Sequence, residues 1–341
     1  LNRQGESFMK NATIIDCITV GRIFRQTIVS LDRRIHERML AGPVLYAATG
    51  ARSAMEHVGI ISAVAATERE SLSKMLASYK IDGSEVITSD SETGVEQFLG
   101  YASPNAPASE QLIPFFAAMQ MSLPQSLKAI DFEPSSRQNL PRYYPAAFSP
   151  FYYDVSAAHL CAAEVDHQVK VSTLLNKSAI SVLTLRSHPA SMIPANWEKM
   201  MNLMSGLTVF ITTSAELSAL FTNREIDLMD IAAILHKYGC EYLVLLQNAE
   251  GYLLMDLHTM KRHQIPVYPT EVIDPTGMDE TFCGGLLAEL RQSHDPIKAA
   301  LRGSVVASIK GEGSGPFFLL DAMPGLIDAR MARIQEWVKQ L

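Results

Sequence analysis

The sequence predicts an α/β protein whose central sheet is mostly parallel and covered by helices on both faces. Strand-like and helix-period segments alternate through the middle and carboxyl-terminal half, which is the pattern of βαβ units. Of the 341 residues, 48% are hydrophobic and 19% charged, a core-forming balance that rules out wholesale disorder. A chain this long buries about three quarters of its unfolded surface and needs no disulfide or metal staple. No internal repeat or low-complexity tract divides it.

Taken in order, Leu1–Phe8 is set aside as a non-native leader, because Met9 opens MKNATIIDCITVG. Ile14–Val20 is the first strand. Val44–His57 reads as helix, Gly59–Ala65 as strand and Ser71–Tyr79 as helix. Ile23–Ala41 and Val86–Ala102 are β-biased but break the alternation, so they read together as a small sheet projecting from the main body. Ser103–Tyr153 is irregular and proline-rich, with Pro114–Gln125 as a short helix. A surface excursion is the plainer reading of it, ahead of a substrate-covering segment. Further on, Val165–Leu175, Asn196–Ser205 and Asp227–Lys237 have helical period. Ile180–Leu185, Thr208–Thr212 and Glu241–Leu246 are short β-rich runs. The last helices are Asp279–Arg291, Pro296–Ile309 and Leu326–Leu341.

Composition narrows the function. Lys and Arg number 29 against 36 Asp and Glu, a net charge of −7, so a broad basic footprint for nucleic acid is absent. Apolar runs such as Gly59–Ala66 fall far short of the ~20 residues of a membrane span. Cys17, Cys161, Cys240 and Cys283 show no CxxC spacing, which reads as a reducing, cytoplasmic compartment rather than a disulfide or zinc framework. His188 and Arg186 follow a strand at the sheet edge where α/β folds place ligands. A solvated loop histidine and a surface ion pair are the plainer readings. Cys283, His236 and the run Met200–Gly206 read as packing or surface positions.

The most informative stretch is Val272–Leu290, VIDPTGMDETFCGGLLAEL. A β-like run ends at Asp274-Pro275, Thr276-Gly277 breaks the chain, and an apolar helix follows. Strand, glycine turn and helix together point free N–H groups and the positive end of the helix dipole at an anion. Glu280 in the first turn could take a proton from an attacking hydroxyl. Gly284-Gly285 allows close packing on a neighbouring helix. An ordinary capped helix with acids in its first turn explains the same residues about as well.

This stretch resembles the second signature of the PfkB/ribokinase family of carbohydrate kinases, DTxGAGDxFxGG. Asp274, Gly277, Phe282, Gly284 and Gly285 match at identical spacing, while Pro275 replaces the signature Thr and Thr276 takes the free position. Ala41–Ser53 looks like the family's GGxxxN helix start, Val209–Phe221 like the segment holding NxxE, and Tyr242–Asp256 like the strand and GxxG turn before the nucleotide site. The resemblance implies a ribokinase-like three-layer α/β/α sandwich with a small β lid, and the two irregular amino-terminal stretches suit that lid.

It also implies the site. The family's GAGD reads GMDE here, so the base position holds Glu280 and the anion hole runs over Gly277, Met278, Asp279 and Glu280. Glu reaches one methylene further than Asp, and a misplacement near 1 Å can lower a rate about 100-fold. Asp279 brings negative charge near a transferring phosphoryl group unless it points away or holds magnesium. Substrate contacts fall on Gln26, Gly42 and Tyr46, with Gln26 and Tyr46 standing where the family has Asp and Asn; Arg186 joins them as a candidate from its place at the sheet edge. Thr276, Asn248, Gly251 and Gly313 border the nucleotide, and Glu216 with Asp279 would order Mg2+. In NxxE the Asn is Thr213, and in GxxG the first Gly is Asn248. Two readings stay open. One is an ATP- and Mg2+-dependent kinase acting on a hydroxymethyl group of a sugar, nucleoside or small polyol. The other is a pseudokinase that binds nucleotide, metabolite or a protein partner without turnover. An exposed edge on the lid sheet offers a route to a homodimer.

Overall fold

The computed structural model describes residues 15–89, 96–103, 106, 108–132, 152, 154–175, 179–222 and 227–341. The amino-terminal part supplies β1 (Cys17–Val20), β2 (Phe24–Val29), β3 (Ile35–Ala41), β4 (Val58–Ala65), β5 (Ile81–Asp82), β6 (Val86–Ser89) and β7 (Glu96–Gly100). The remainder supplies β8 (Ala157–Leu160), β9 (Val182–Arg186), β10 (Val209–Thr213), β11 (Tyr242–Leu246), β12 (Tyr252–Asp256), β13 (Arg262–Ile265) and β14 (Lys339–Gln340).

The main sheet runs β14-β13-β12-β11-β10-β9-β8-β1-β4-β5, with β6 also paired to β4. From β11 to β4 every pairing is parallel, as are the pairings of β5 and β6. Strands β12, β13 and β14 add an antiparallel edge. The parallel strands are apolar on both sides, and their residues alternate between two cores. Val209 and Ile211 of β10 face the first, with the helices Pro43–Arg52, Met278–Ser293 and Pro296–Gly311. Phe210 faces the second, with Val165–Leu175, Trp197–Leu203 and Leu228–Lys237. Burial on both faces is what a helix-covered parallel sheet requires. Met200, Met201 and Met204 all lie in that second core.

The small sheet has the order β3-β2-β7. Phe98 of β7 packs with Val29, Phe115, Phe116 and Leu127, so the helix Leu112–Ala118 backs the lid rather than crossing the cleft. Four expectations need correction. The helix expected over Val44–His57 spans Pro43–Arg52. Val86–Ser89, grouped with the lid, instead pairs in parallel with β4, because period-2 alternation does not say which sheet a strand joins. The last helix stops at Gln335, and Lys339–Gln340 turns back onto β13. The excursion holds a helix at Leu112–Ala118 and a 3-10 turn at Gln125–Leu127; residues 133–151 and 153 of it, like Leu1–Phe8, lie outside the described residues.

The helix Met278–Ser293 is held against Pro43–Arg52 at glycine distance. A Cβ on Gly284 would lie 1.8 Å from the Ala47 carbonyl oxygen, and one on Gly50 would lie 2.2 Å from that of Thr281. This crossing sets where the helix begins, and hence where the cleft is.

Candidate active site

The parallel strands β1, β9 and β10 end on one edge of the sheet, where ligands collect in open α/β folds. The turn before the helix Met278–Ser293 lies at that edge. Asp274 is fully buried, and its Oδ1 accepts the Thr276 N–H at 2.9 Å. The N–H groups of Ile273 and Asp274 donate to Gly311 O at 2.7 and 3.0 Å. Gly277 stands at the N-cap with φ 74, and no side chain caps the helix. A left-handed φ favours glycine there. The first-turn amides therefore lack side-chain partners, although the Met278 N–H does bond Pro275 O at 3.2 Å.

Two tyrosines brace this turn. The Tyr46 ring lies where a Gly277 Cβ would be, 2.3 Å from that position. Its hydroxyl is buried without a hydrogen-bond partner among the described residues. Burial first, and then the Asp274 carboxylate, push that hydroxyl's pKa well up. Tyr46 thus supports the turn while it also lines the cavity. Thr276 Oγ1 bonds the Tyr101 hydroxyl at 3.1 Å, and the Leu31 N–H reaches Ile273 O at 2.9 Å, so the lid docks on the same turn.

Four charged side chains meet beside it. Arg186 forms a fork with Glu216, Nη1 to Oε2 at 2.6 Å and Nη2 to Oε1 at 3.0 Å. Thr212 Oγ1 donates to the same carboxylate at 2.9 Å, and Ser187 Oγ also bonds it. Both residues are buried. Burial raises the Glu216 pKa, but these donors more than reverse that and hold it below the usual range. Arg186 is therefore a buried clamp, not the surface ion pair expected of it. Glu216, expected near a metal, has its carboxylate engaged by these three side chains.

The two helix-start acids differ from it. Asp279 is exposed and makes no side-chain hydrogen bond or ion pair among the described residues. Desolvation nevertheless raises its pKa, with Arg186 opposing and Glu216 adding. Glu280 is partly buried, and burial, followed by the charge of Asp279, pushes it up to about 7. A carboxyl group poised there changes protonation near neutral pH.

A cavity of about 350 Å³ runs from Glu280 and Gly277 past Tyr46 and Gly42 to Gln26 and Gln97. Gln26 Nε2 donates to Gln97 Oε1 at 2.7 Å, which leaves Gln26 Oε1 buried and unpartnered. Arg22, Tyr101, Arg186 and His188 also line the cavity. The structure therefore brings Gln26, Gly42, Tyr46, Arg186, Thr276, Gly277 and Glu280 to one cavity. Asn248 and Gly251 lie elsewhere, in the β11–β12 turn, Asn248 at φ 51 and Gly251 at φ 93. Gly313 sits behind the turn, where its carbonyl accepts from Lys310 Nζ at 2.9 Å. Among the described residues no three His, Cys, Asp or Glu side chains converge on a metal position. Gln97, Tyr101, Arg22 and Lys310 escape the sequence reading. Only Lys310 carried a local signal, as a lysine on the apolar stripe four residues after Val306.

The pfkB family of carbohydrate kinases matches residues 152–321. A cytidine kinase of Thermococcus kodakarensis is 28% identical over 153 residues, 44% of this chain and 53% of that protein. The match thus spans about half the length of that curated relative. Among solved structures, the nucleoside kinase of Methanocaldococcus jannaschii, an archaeal member of the ribokinase family, superposes with a TM-score of 0.66 at 15% identity, covering 94% of this chain and 99% of that one. The fructokinase of Xylella fastidiosa with bound ATP gives 0.70 at 13%, covering 93% and 98%. The fold is the ribokinase one.

Proposed function

Taking a pfkB-type domain in a ribokinase-type fold as premise, we propose that the chain is an ATP- and magnesium-dependent kinase. It moves the γ-phosphoryl group of ATP to a hydroxymethyl group of a sugar, nucleoside or related small polyol. The observation that carries the reading is Glu280. It is a carboxyl group poised near neutrality, in the same cavity as an uncapped helix start and the open acceptor of Gln26.

In this reading the acceptor hydroxyl lies between Gln26 and Glu280. Gln26 Oε1 accepts from a substrate hydroxyl, and the Gln26–Gln97 bond fixes its direction. Glu280 removes the proton as the hydroxyl attacks. The free amides of the first helical turn hold the transferring phosphoryl group. Asp279 suits a magnesium ion, since its carboxylate is open and unpaired, whereas Glu216 acts by fixing Arg186. Magnesium, when bound, neutralises charge that develops on the phosphate oxygens. The kinases of nucleosides and of fructose among the similar proteins support this acceptor class. A homodimer through the outer edge of β3, which pairs only with β2 among the described residues, accompanies this reading.

A second reading, nucleotide binding without turnover, draws on Asp279, whose carboxylate repels a phosphoryl group if no metal covers it. An assay of ADP release over a panel of sugars and nucleosides separates the two. Magnesium-dependent turnover with at least one acceptor is expected. Nucleotide binding with no turnover on any acceptor would leave the second reading.

A further inference from the structure

Lys310 has no part in the chemistry above, yet it is fully buried. It lies in the last turn of the helix Pro296–Gly311, among apolar neighbours. A buried ammonium persists only where polar partners replace its water. Here Nζ donates to the carbonyl of Asp274 at 3.1 Å and to that of Gly313 at 2.9 Å. Asp274 Oδ2 stands 3.8 Å away and has no hydrogen-bond partner of its own among the described residues. The Tyr46 ring, which supports Gly277, has its centroid 5.6 Å from Nζ. Main-chain carbonyls with one carboxylate around a single positive centre form the donor set of a monovalent-cation site. In this chain the cation is attached to the protein.

We infer that Lys310 is a built-in cation for the phosphate cradle. Its ammonium clamps the turn Asp274–Gly277 to the loop after Gly311 and keeps a fixed positive charge behind the helix start. This rests on the phosphotransfer reading, in which a polyanionic nucleotide enters a site already holding Asp279 and Glu280. Arg186 cannot balance them, because Glu216 neutralises it. Lys310 acts through the turn and is a positioning residue. Burial lowers its pKa to about 8, against the pull of Asp274, so it is largely charged at neutral pH. One consequence is specific: the wild type should be indifferent to monovalent cations, and removing the side chain should create a site for one.

The test uses the full chain and its Lys310→Ala and Lys310→Met variants. Affinity for a non-hydrolysable ATP analogue with magnesium, and melting temperature, are measured at fixed ionic strength. Tetramethylammonium is the reference salt, replaced in turn by lithium, sodium, potassium and ammonium. Both variants should bind about 10- to 100-fold more weakly in the reference salt, the range of a lost charged hydrogen bond. Ammonium and potassium should restore affinity and melting temperature in Lys310→Ala, and lithium should not. Lys310→Met fills the space and should not be rescued. Wild-type affinity in Lys310→Met, rescue blind to ion size, or a wild type that itself needs an added cation would overturn the inference. So would a Lys310→Ala variant that stays unfolded in every salt. If the wild type binds no nucleotide, the kinase reading falls, while ion-selective melting of Lys310→Ala still reports on the clamp.

Discussion

A methyl group on Gly284 would sit 1.8 Å from the carbonyl oxygen of Ala47. On the same helix the side chain of Asp279 is exposed. The downstream half of the stretch is fixed by contact: Phe282 stacks on Tyr252 at 3.9 Å between centroids, and a Cβ on Gly285 would lie 2.5 Å from Val306. The upstream half is fixed by backbone, through Asp274, Gly277 and their hydrogen bonds, while the side chains of Asp279 and Glu280 are left to the chemistry. All the departures from the signature fall upstream, at Pro275, Met278, Asp279 and Glu280. Packing tolerances of tenths of an ångström hold whatever the ligand is, whereas a side chain at a cleft floor can change without disturbing the fold.

The sharpest way to break that contrast is Gly284→Ala. The obstacle is backbone, so the two helices must part. A loss of about 3 kcal/mol or more is expected, a large share of a typical margin of about 5–15 kcal/mol. Thermal melting should show a steep fall in stability or no cooperative transition. A variant that melts like the wild type would mean that the crossing is looser than its distances say.

Glu280→Gln should separate the halves the other way, with turnover falling about 100- to 10,000-fold while the fold remains. Stability should rise. The Glu280 pKa goes from an ordinary 4.5 to about 7 on folding. The folded state therefore holds the proton more tightly, and stability falls as pH rises from 4.5 to 7. Above that the ionised carboxylate opposes folding by up to about 3 kcal/mol. The Gln variant removes this term, so its melting temperature should exceed the wild type's at pH 8 and approach it near pH 4. Wild-type turnover should climb with pH through about 7. A flat profile there, or full activity in Glu280→Gln, would put the base elsewhere.

How much of this was legible beforehand follows the same division. Val165–Leu175 is a helix at the expected boundaries, because its apolar period is local. The strand Ala157–Leu160 lies centrally between β1 and β9, yet AAHL carries little strand preference and gave no sign. At the site, the turn and its acids were readable because they are contiguous. Their partners were not. Gln26 meets Gln97 across 71 positions and Thr276 meets Tyr101 across 175, and only the folded topology sets such pairs. Glu216 was found by motif, but the arginine that engages it lies 30 residues away, at the end of β9.

Asp279→Asn tests the open carboxylate with little change of shape. If Asp279 serves magnesium, affinity for a magnesium–nucleotide complex should fall about tenfold, within the range of one charged contact, and metal-free nucleotide binding should change little. Calorimetry with and without magnesium reads both. A tighter complex in the variant would instead mark Asp279 as a repulsive charge and favour the non-catalytic reading.

The smallest expected effect lies furthest from the chemistry, at Asn248. It holds φ 51 in an exposed turn, where the resembled motif has glycine. Asn tolerates the left-handed region better than other side chains because its short amide bonds locally. Asn248→Gly removes the steric penalty but loosens the unfolded chain, and those effects oppose. The melting temperature should therefore move little. Asn248→Ala keeps the penalty without the local bonding and should lose about 1 kcal/mol. Gly251, at φ 93, leaves no such room: its Cβ would fall 2.2 Å from the Ile265 carbonyl oxygen. Equal melting for the Ala and Gly variants at position 248 would show that this turn bears no conformational constraint, and that Asn stands there for another reason.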